Sequence, residues 1–166
     1  MGLLSGYARR RRFELLLSGL PKDARILEVG CGAGAIGRDL RTRGYRHYAG
    51  LDLRPPADHV GSIRDWPALG LEPASYDAII AFEVIEHVPC FRECFDLLKP
   101  GGLLIVTTPV PHWDWACRLL EAAGISQART SPHEHLIYVK DIPLFEVVES
   151  FRFMVIGQWA KLRKSA

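Results

Sequence analysis

Short apolar runs alternate with amphipathic segments along this sequence, an order typical of a sheet flanked by helices. Ile26, Leu27 and Val29 form one apolar run, which predicts a buried strand. The longer run YDAIIAF at Tyr76–Phe82 predicts a second strand, which is apolar almost throughout and therefore central in its sheet. Further strands are predicted at His47–Leu53, His59–Ile63, Leu103–Thr108 and Phe153–Trp159.

Apolar residues at helical spacing predict the helices that connect these strands. The alternation of strands and helices predicts an α/β fold with a Rossmann-like, doubly wound and mostly parallel sheet. Because only one strand is predicted after residue 111, we expect the C-terminal edge of the sheet to be abbreviated, or to be completed by a second copy in a homodimer. The predicted helices are Tyr7–Leu17, Ala35–Arg43, Phe91–Leu98, Trp113–Ala123 and Asp141–Ser150.

Length and composition narrow the possible classes of protein. A chain of 166 residues is long enough for one domain and too short for two ordinary ones. We therefore expect a single domain at 1–166, with an N-terminal helix within 1–20, a cofactor-binding core at 24–110 and the remaining elements at 111–166. The four cysteines lack the spacing of a secreted disulfide framework, and no apolar run approaches the roughly 20 residues of a membrane span. The sequence thus predicts a cytoplasmic protein without a membrane partner.

The charge of the chain leaves one question open. A net charge of +2 is too small to demand a nucleic-acid partner. The dense basic run Arg9–Arg12 is compatible either with a solvated helix face or with a patch that binds a polyanion.

Three glycines directly follow the first predicted strand. Gly30, Gly32 and Gly34 predict a sharp turn into the helix that begins at Ala35, and turns of this kind bind nucleotide cofactors. The spacing of the glycines alone also fits the fingerprint of a dinucleotide-binding turn. Glu28 favours another ligand, because its carboxylate would repel a pyrophosphate but would suit a nucleoside that carries an ammonium and a sulfonium group.

The stretch Glu28-x-Gly30-x-Gly32-x-Gly34 resembles motif I of the class I S-adenosylmethionine-dependent methyltransferases. The resemblance implies that S-adenosylmethionine binds beside this turn. Asp52 lies 22 positions after Gly30, the distance at which a doubly wound fold holds the ribose hydroxyls, and Leu53 would pack against adenine. In the loop that reaches the adenine edge, Ser62 or Asp65 is expected at the amine. The complete set of expected cofactor contacts is Glu28, Gly30, Cys31, Gly32, Gly34, Asp52, Leu53, Ser62, Ile63 and Phe82.

The segment EVIEHV follows the predicted central strand. If it is helical, Glu83, Glu86 and His87 share one face, and carboxylate and imidazole groups together suit a divalent transition metal. With His135, the segment resembles the small-RNA 3′-terminal 2′-O-methyltransferases, which implies metal ligands at Glu83, Glu86, His87 and His135. It is also similar to the ubiquinone-pathway O-methyltransferases. Two other readings stay open, a metal-free catalytic role for His87 or His135 and a purely structural one.

These features together predict an S-adenosylmethionine-dependent O-methyltransferase that acts on a small-molecule or glycan hydroxyl. The expected catalytic residues are His87, His135 and Glu86, with one histidine as the base that removes the hydroxyl proton. Two alternatives are metal-dependent 2′-O-methylation of an RNA 3′ end and a non-catalytic subunit that binds S-adenosylmethionine. A nicotinamide-dependent oxidoreductase is disfavoured by Glu28.

Overall fold

The computed structural model describes residues 3–111, 135–154 and 156–165, which form an alternating α/β chain. The strands are β1 (Arg25–Val29), β2 (His47–Asp52), β3 (His59–Val60), β4 (Tyr76–Phe82), β5 (Leu98–Pro109), β6 (Phe145–Phe153) and β7 (Gly157–Lys164). The helices are α1 (Leu3–Arg12), which continues as π-helix over Phe13–Leu17, then α2 (Ala35–Thr42) and α3 (Phe91–Leu97), with 3₁₀ turns at Ile63–Asp65 and Val139–Asp141. No helix in these ranges is long and apolar enough to cross a membrane.

The strands form one sheet in the order β3-β2-β1-β4-β5-β7-β6. β1 to β5 run parallel, and β7 is antiparallel to both of its neighbours. The chain starts in the middle of the sheet at β1, builds outward through β2 and β3, and then returns to β4 on the other side of β1. In a doubly wound sheet this reversal opens a crevice at the carboxyl ends of β1 and β4, where ligands bind.

Apolar residues on both faces of the sheet form the core. One face of β1 places Leu27 and Val29 against the layer that contains α3. The other face places Ile26 against Leu16 and Leu40, from the π-helical segment and α2. Successive side chains of a strand point to opposite faces, so a strand covered on both sides must be apolar at nearly every position. Among the four buried residues of β1, Ile26–Val29, Glu28 is the polar exception.

The C-terminal third of the described chain differs from the sequence prediction. The helix predicted at Asp141–Ser150 is wrong, because Phe145–Phe153 forms β6. The last strand, predicted at Phe153–Trp159, is instead β7 at Gly157–Lys164. The sheet edge is therefore not abbreviated, since both antiparallel strands come from this chain. As an edge strand, β6 is largely exposed on both faces and lacks the polar and apolar alternation that identifies strands, while its β-branched and aromatic residues favour extended structure.

Other boundaries shift by smaller amounts. β5 begins at Leu98, directly after α3, because the Pro100-Gly101-Gly102 turn is built into the strand rather than preceding it. β3 is only two residues long. The helix predicted at Trp113–Ala123 lies outside the described residues.

A buried glutamine on β7 joins the segment before β6 to the sheet. The Gln158 side-chain amide donates to the carbonyls of Pro109 (3.1 Å) and Ile137 (2.6 Å), and its oxygen accepts from the Val139 amide (3.1 Å). One side chain thus satisfies three backbone groups. It fixes residues 137–139 beside the end of β5.

We expect Gln158→Met to destabilise the fold by about 3 kcal/mol, because a buried backbone group without a partner costs about 1–3 kcal/mol. Urea unfolding measures the free-energy difference. Arg152→Met, at an exposed position on β6, is the matched control and should change stability by no more than about 0.5 kcal/mol. A Gln158→Met protein as stable as this control would contradict the assigned role.

Candidate functional site

A cavity of about 270 Å³ opens at the carboxyl ends of β1, β2 and β4. It lies on the crevice that the strand order creates, as expected for a doubly wound sheet. Its lining is mainly apolar, with a few polar groups at the rim. The described residues that line it are Val29, Gly30, Leu51, Asp52, Leu53, Gly61, Ser62, Ile63, Phe82, Glu83, Val84, His87 and Val88.

Six of the ten cofactor contacts expected from the sequence line this cavity. They are Gly30, Asp52, Leu53, Ser62, Ile63 and Phe82. The lining also includes Val29, Leu51, Gly61, Val84 and Val88, which the sequence analysis did not select. These five carry no chemical signal of their own, and only their positions next to strand ends could have identified them.

The glycine turn after β1 is fixed by backbone hydrogen bonds to β2. Gly30 and Cys31 donate their amides to the Leu51 carbonyl at 2.8 and 3.2 Å, and the Gly32 amide donates to Asp52 Oδ2 at 2.8 Å. Gly30, Gly32 and Gly34 have φ values of 73°, 50° and 70°. Only glycine adopts this left-handed region without strain, so the turn requires the residues found there.

Asp52 has two functions at the end of β2. One carboxylate oxygen accepts from Gly32, the other accepts from the Arg54 amide at 3.2 Å, and the side chain still borders the cavity. Each carboxylate oxygen can accept more than one hydrogen bond, so capacity remains for ligand hydroxyls. The neighbouring Leu53 is 70% exposed, and its large apolar side chain provides a surface on which a planar ring can pack.

Glu28 lies beneath the glycine turn and is not among the described residues that line the cavity. It is on the opposite face of β1 from Val29, only 4% exposed, and accepts a hydrogen bond from the Tyr48 hydroxyl. Burial raises the pKa of Glu28 to about 7, and the Tyr48 hydrogen bond only partly opposes this effect. The expected projection of Glu28 toward the ligand therefore remains a prediction. Cys31 and Gly34 line a separate depression beside Tyr48, and Gly32 lines neither of these cavities.

The segment EVIEHV forms one turn rather than the helix considered in the sequence analysis. The amides of His87 and Val88 both donate to the Val84 carbonyl, and Glu83 adopts a left-handed φ of 56°. Glu83 Oε1 accepts from Arg12 Nη2 at 2.6 Å and from Thr107 Oγ1 at 2.8 Å. This carboxylate thus borders the cavity with its charge already compensated by the protein.

Glu86 is fully buried behind Glu83. Its Oε2 accepts from Thr108 Oγ1 at 3.0 Å, and its backbone carbonyl accepts from the His135 amide at 3.0 Å. Burial and, secondarily, the nearby Glu83 charge raise the pKa of Glu86 to about 8, so this carboxyl group is mostly neutral at pH 7. The His135 residue is exposed, whereas His87 is half-buried and lines the cavity.

The four expected metal ligands do not form a metal site in the described part of the chain. No group of three or more His, Cys, Asp or Glu side chains there has an arrangement that could hold an ion. Glu83 is paired with Arg12, and Glu86 is turned toward Thr108. This arrangement does not fit a divalent cation.

All four members of the basic run take part in intramolecular ion pairs. Arg9 pairs with Asp39, Arg10 and Arg11 with Glu14, and Arg12 with Glu83. The Arg12 guanidinium also lies over the rings of Phe82 (5.3 Å) and Trp159 (5.6 Å). Arg12 therefore contacts two residues that line the cavity, Phe82 and Glu83, a role that the sequence analysis missed because Glu83 is 71 residues away.

Comparisons with known proteins agree with this geometry. Residues 5–141 match a family model described as a methyltransferase domain. A ubiquinone biosynthesis O-methyltransferase of Xylella fastidiosa is 35% identical over 103 residues, which cover 51% of this chain and 42% of the relative. The corresponding enzyme of Xanthomonas campestris is 34% identical, with 51% and 43% coverage. The chain thus spans less than half the length of these curated relatives.

Solved structures share the fold at low sequence identity. The PH0226 protein of Pyrococcus horikoshii has a TM-score of 0.69 at 17% identity, and the match covers 96% of this chain and 91% of that one. An S-adenosylmethionine dependent methyltransferase from Mesorhizobium loti has a TM-score of 0.64 at 16% identity, with 92% and 97% coverage.

The burial of Glu28 predicts a pH dependence of stability. Its folded pKa of about 7 lies above the ordinary value of 4.5, so the folded state retains a proton that the unfolded state has lost. The resulting penalty is absent below pH 4.5, grows as the pH rises, and reaches about 3 kcal/mol above pH 7. We expect Glu28→Gln to gain stability over the wild type by about this amount between pH 5 and pH 8, as measured by urea unfolding.

Glu146→Gln, at an exposed position on β6, is the matched control for Glu28→Gln. If both variants differ from the wild type by the same amount at both pH values, burial does not perturb Glu28 and the prediction is wrong.

Proposed function

Because the chain belongs to the methyltransferase-domain family, we propose that it is an S-adenosylmethionine-dependent O-methyltransferase acting on a hydroxyl of a small molecule. The observation that carries this proposal is the cavity at the carboxyl ends of β1, β2 and β4, which is lined by six of the ten residues expected to contact the donor. Among them, Asp52 combines a carboxylate at the cavity rim with a backbone tie to the glycine turn.

The cavity lining suits the adenosine part of the donor. Asp52 would accept hydrogen bonds from the ribose hydroxyls, and Leu53 and Ile63 would pack against the adenine ring. Ser62 directly precedes Ile63, lines the same cavity and would meet the adenine edge. Its hydroxyl oxygen already accepts from the Arg64 amide at 3.2 Å, which fixes its orientation.

Methyl transfer is an in-line displacement at the carbon attached to the donor sulfur. The positive charge of the sulfonium disperses during the reaction, so the protein contributes mainly by aligning the two molecules and excluding water. A hydroxyl acceptor must also lose its proton. Among the residues that the structure describes, His87 is the imidazole that lines the cavity, and we assign it the role of general base.

The proposed substrate class is supported by the names of the curated relatives. The curated relatives are named as O-methyltransferases of ubiquinone biosynthesis, but the match covers only 42–43% of two of them. The hydroxyl of a small molecule is the acceptor chemistry that these names suggest.

Metal-dependent methylation of an RNA 3′ end has less support. Among the described residues, the carboxylates expected to bind a metal are engaged by Arg12, Thr107 and Thr108. The four arginines of the basic run, which would attract RNA, are paired with three acids of the same chain. No step of the proposed reaction is therefore assigned to a metal.

We expect the wild-type chain to bind S-adenosylmethionine and Asp52→Asn to bind it about ten- to a hundredfold more weakly, because a hydrogen bond to a charged group is worth about 1.5–3 kcal/mol. Isothermal titration calorimetry measures both affinities. Asp23→Asn, at an exposed position before β1 and outside the cavity lining, should bind like the wild type. A folded wild type that ignores S-adenosylmethionine would overturn the proposed function.

His87→Asn should lower the rate of methyl transfer by about 10²–10⁴-fold while leaving the affinity for S-adenosylmethionine within about threefold of the wild type. Transfer from methyl-labelled donor to a panel of phenols, catechols and sugars identifies the acceptor first and then provides the rate. His47→Asn, at the opposite end of β2, is the control and should keep full activity. An unchanged rate in His87→Asn would exclude His87 as the base, and transfer by the purified wild type would exclude a non-catalytic subunit.

A further inference from the structure

We propose that Tyr48 is a positioning residue for the methyl-donor site, whose hydroxyl holds the Glu28 carboxyl group beneath the glycine turn for the ammonium group of the donor's amino-acid part. This inference rests on the proposed function, because it takes S-adenosylmethionine as the ligand. Tyr48 is not among the donor contacts expected from the sequence.

The register of β1 and β2 explains how Tyr48 reaches Glu28. Tyr48 pairs with Ile26, and Glu28 pairs with Gly50. The residue directly opposite Glu28 therefore has no side chain, and Tyr48 extends from the diagonal position across the space that this leaves. Diagonal neighbours on one face of a sheet lie within reach of an aromatic side chain. The Tyr48 hydroxyl then donates to Glu28 Oε2.

Two glycines make room for this hydroxyl group. A β-carbon at Gly50 would lie 3.1 Å from the Tyr48 oxygen and 2.8 Å from Cys31 Sγ. A β-carbon at Gly37, on α2, would lie 2.8 Å from the same tyrosine oxygen. Neither glycine has a positive φ, so backbone conformation does not require them. What they share is the space that they leave for the end of the Tyr48 side chain.

The Tyr48 ring is also held from the solvent side. The Arg41 guanidinium lies over the ring at 4.7 Å from its centroid and pairs with Asp58 at 3.4 Å. The hydroxyl stays protonated, because burial and the adjacent Glu28 raise the pKa of Tyr48 well above its ordinary value. These contacts keep the Tyr48 hydroxyl protonated and oriented as a hydrogen-bond donor to the Glu28 carboxyl group.

The electrostatic effect of Tyr48 on Glu28 is favourable for a cationic ligand. Burial raises the pKa of Glu28, the hydrogen bond from Tyr48 lowers it, and the nearby Asp52 raises it further. Cys31, in the glycine turn, is another titratable group that interacts electrostatically with Glu28. Farther from Glu28, Arg41 interacts with Tyr48, and Asp58 interacts with Cys31. Tyr48 is the neighbour that shifts Glu28 toward its ionised form, which an ammonium or sulfonium group needs as a partner.

The test compares two ligands that share the adenosine part and the S-methyl group. S-adenosylmethionine carries a sulfonium and an amino-acid part, whereas 5′-methylthioadenosine has an uncharged thioether and no amino-acid part. Calorimetric affinities are measured for wild type, Tyr48→Phe and Tyr45→Phe at about pH 6 and about pH 7.5, below the pKa of an ordinary α-amino group. Tyr45→Phe is the matched control, since Tyr45 is a buried tyrosine whose hydroxyl donates to the Leu17 carbonyl at 2.9 Å, away from the site.

We expect Tyr48→Phe to bind S-adenosylmethionine about five- to tenfold more weakly than the wild type at the higher pH, with 5′-methylthioadenosine affinity unchanged within about twofold. In the wild type, the affinity for S-adenosylmethionine should rise from the lower to the higher pH, whereas the affinity for 5′-methylthioadenosine should not. Tyr45→Phe should reproduce the wild type for both ligands.

The contrary results are distinguishable. If Tyr48→Phe weakens both ligands equally, or neither, Tyr48 has only a packing role and the proposal is wrong. If Tyr48→Phe does not fold, the wild-type affinities at the two pH values test the proposal instead. A ratio of the S-adenosylmethionine affinity to the 5′-methylthioadenosine affinity that does not change with pH contradicts the proposal. A wild type that binds neither ligand overturns the proposed function itself.

Discussion

The site depends on the attachment of one backbone turn to the end of one neighbouring strand. Three consecutive amides after β1, those of Gly30, Cys31 and Gly32, donate to the last two residues of β2. A turn fixed in this way is formed before any ligand arrives, so binding does not have to supply the ordering free energy. Because Asp52 is one of the two acceptors, the group expected to hold the ligand ribose also shapes the turn beside which the ligand lies.

The pleat of β1 separates two kinds of chemistry. Val29 faces the apolar cavity, and Glu28 faces the layer between β1 and α2, where it meets Tyr48. In the proposed role of Glu28, a carboxylate beneath the turn acts on a cationic group at the cavity's edge. This position leaves a buried acid whose pKa lies far above its ordinary value. The proposal thus couples stability and ligand charge through one residue.

The sequence predicted the parts of the fold in which local pattern and tertiary environment agree. Strands covered on both faces, such as Tyr76–Phe82, have continuous apolar runs. The turn after β1 has glycines because its backbone adopts left-handed φ values. The prediction was wrong for β6, because an exposed edge strand has no buried face to impose a period of two. Arg12 was missed for a different reason, since its ion pair with Glu83 joins elements that are distant in sequence and leaves no local signal.

The environment of Glu83 and Glu86 shows how two neighbouring acids are accommodated at the end of β4. Two ionised carboxylates close together and partly removed from water repel each other strongly, so at least one charge must be compensated or removed. A divalent cation between them is one solution, and the sequence pattern suggested it. The described residues use another, since Arg12 pairs with Glu83 while burial and that neighbouring charge raise the pKa of Glu86. An arginine from the N-terminal helix thus compensates the charge of Glu83, while burial disfavours ionisation of Glu86.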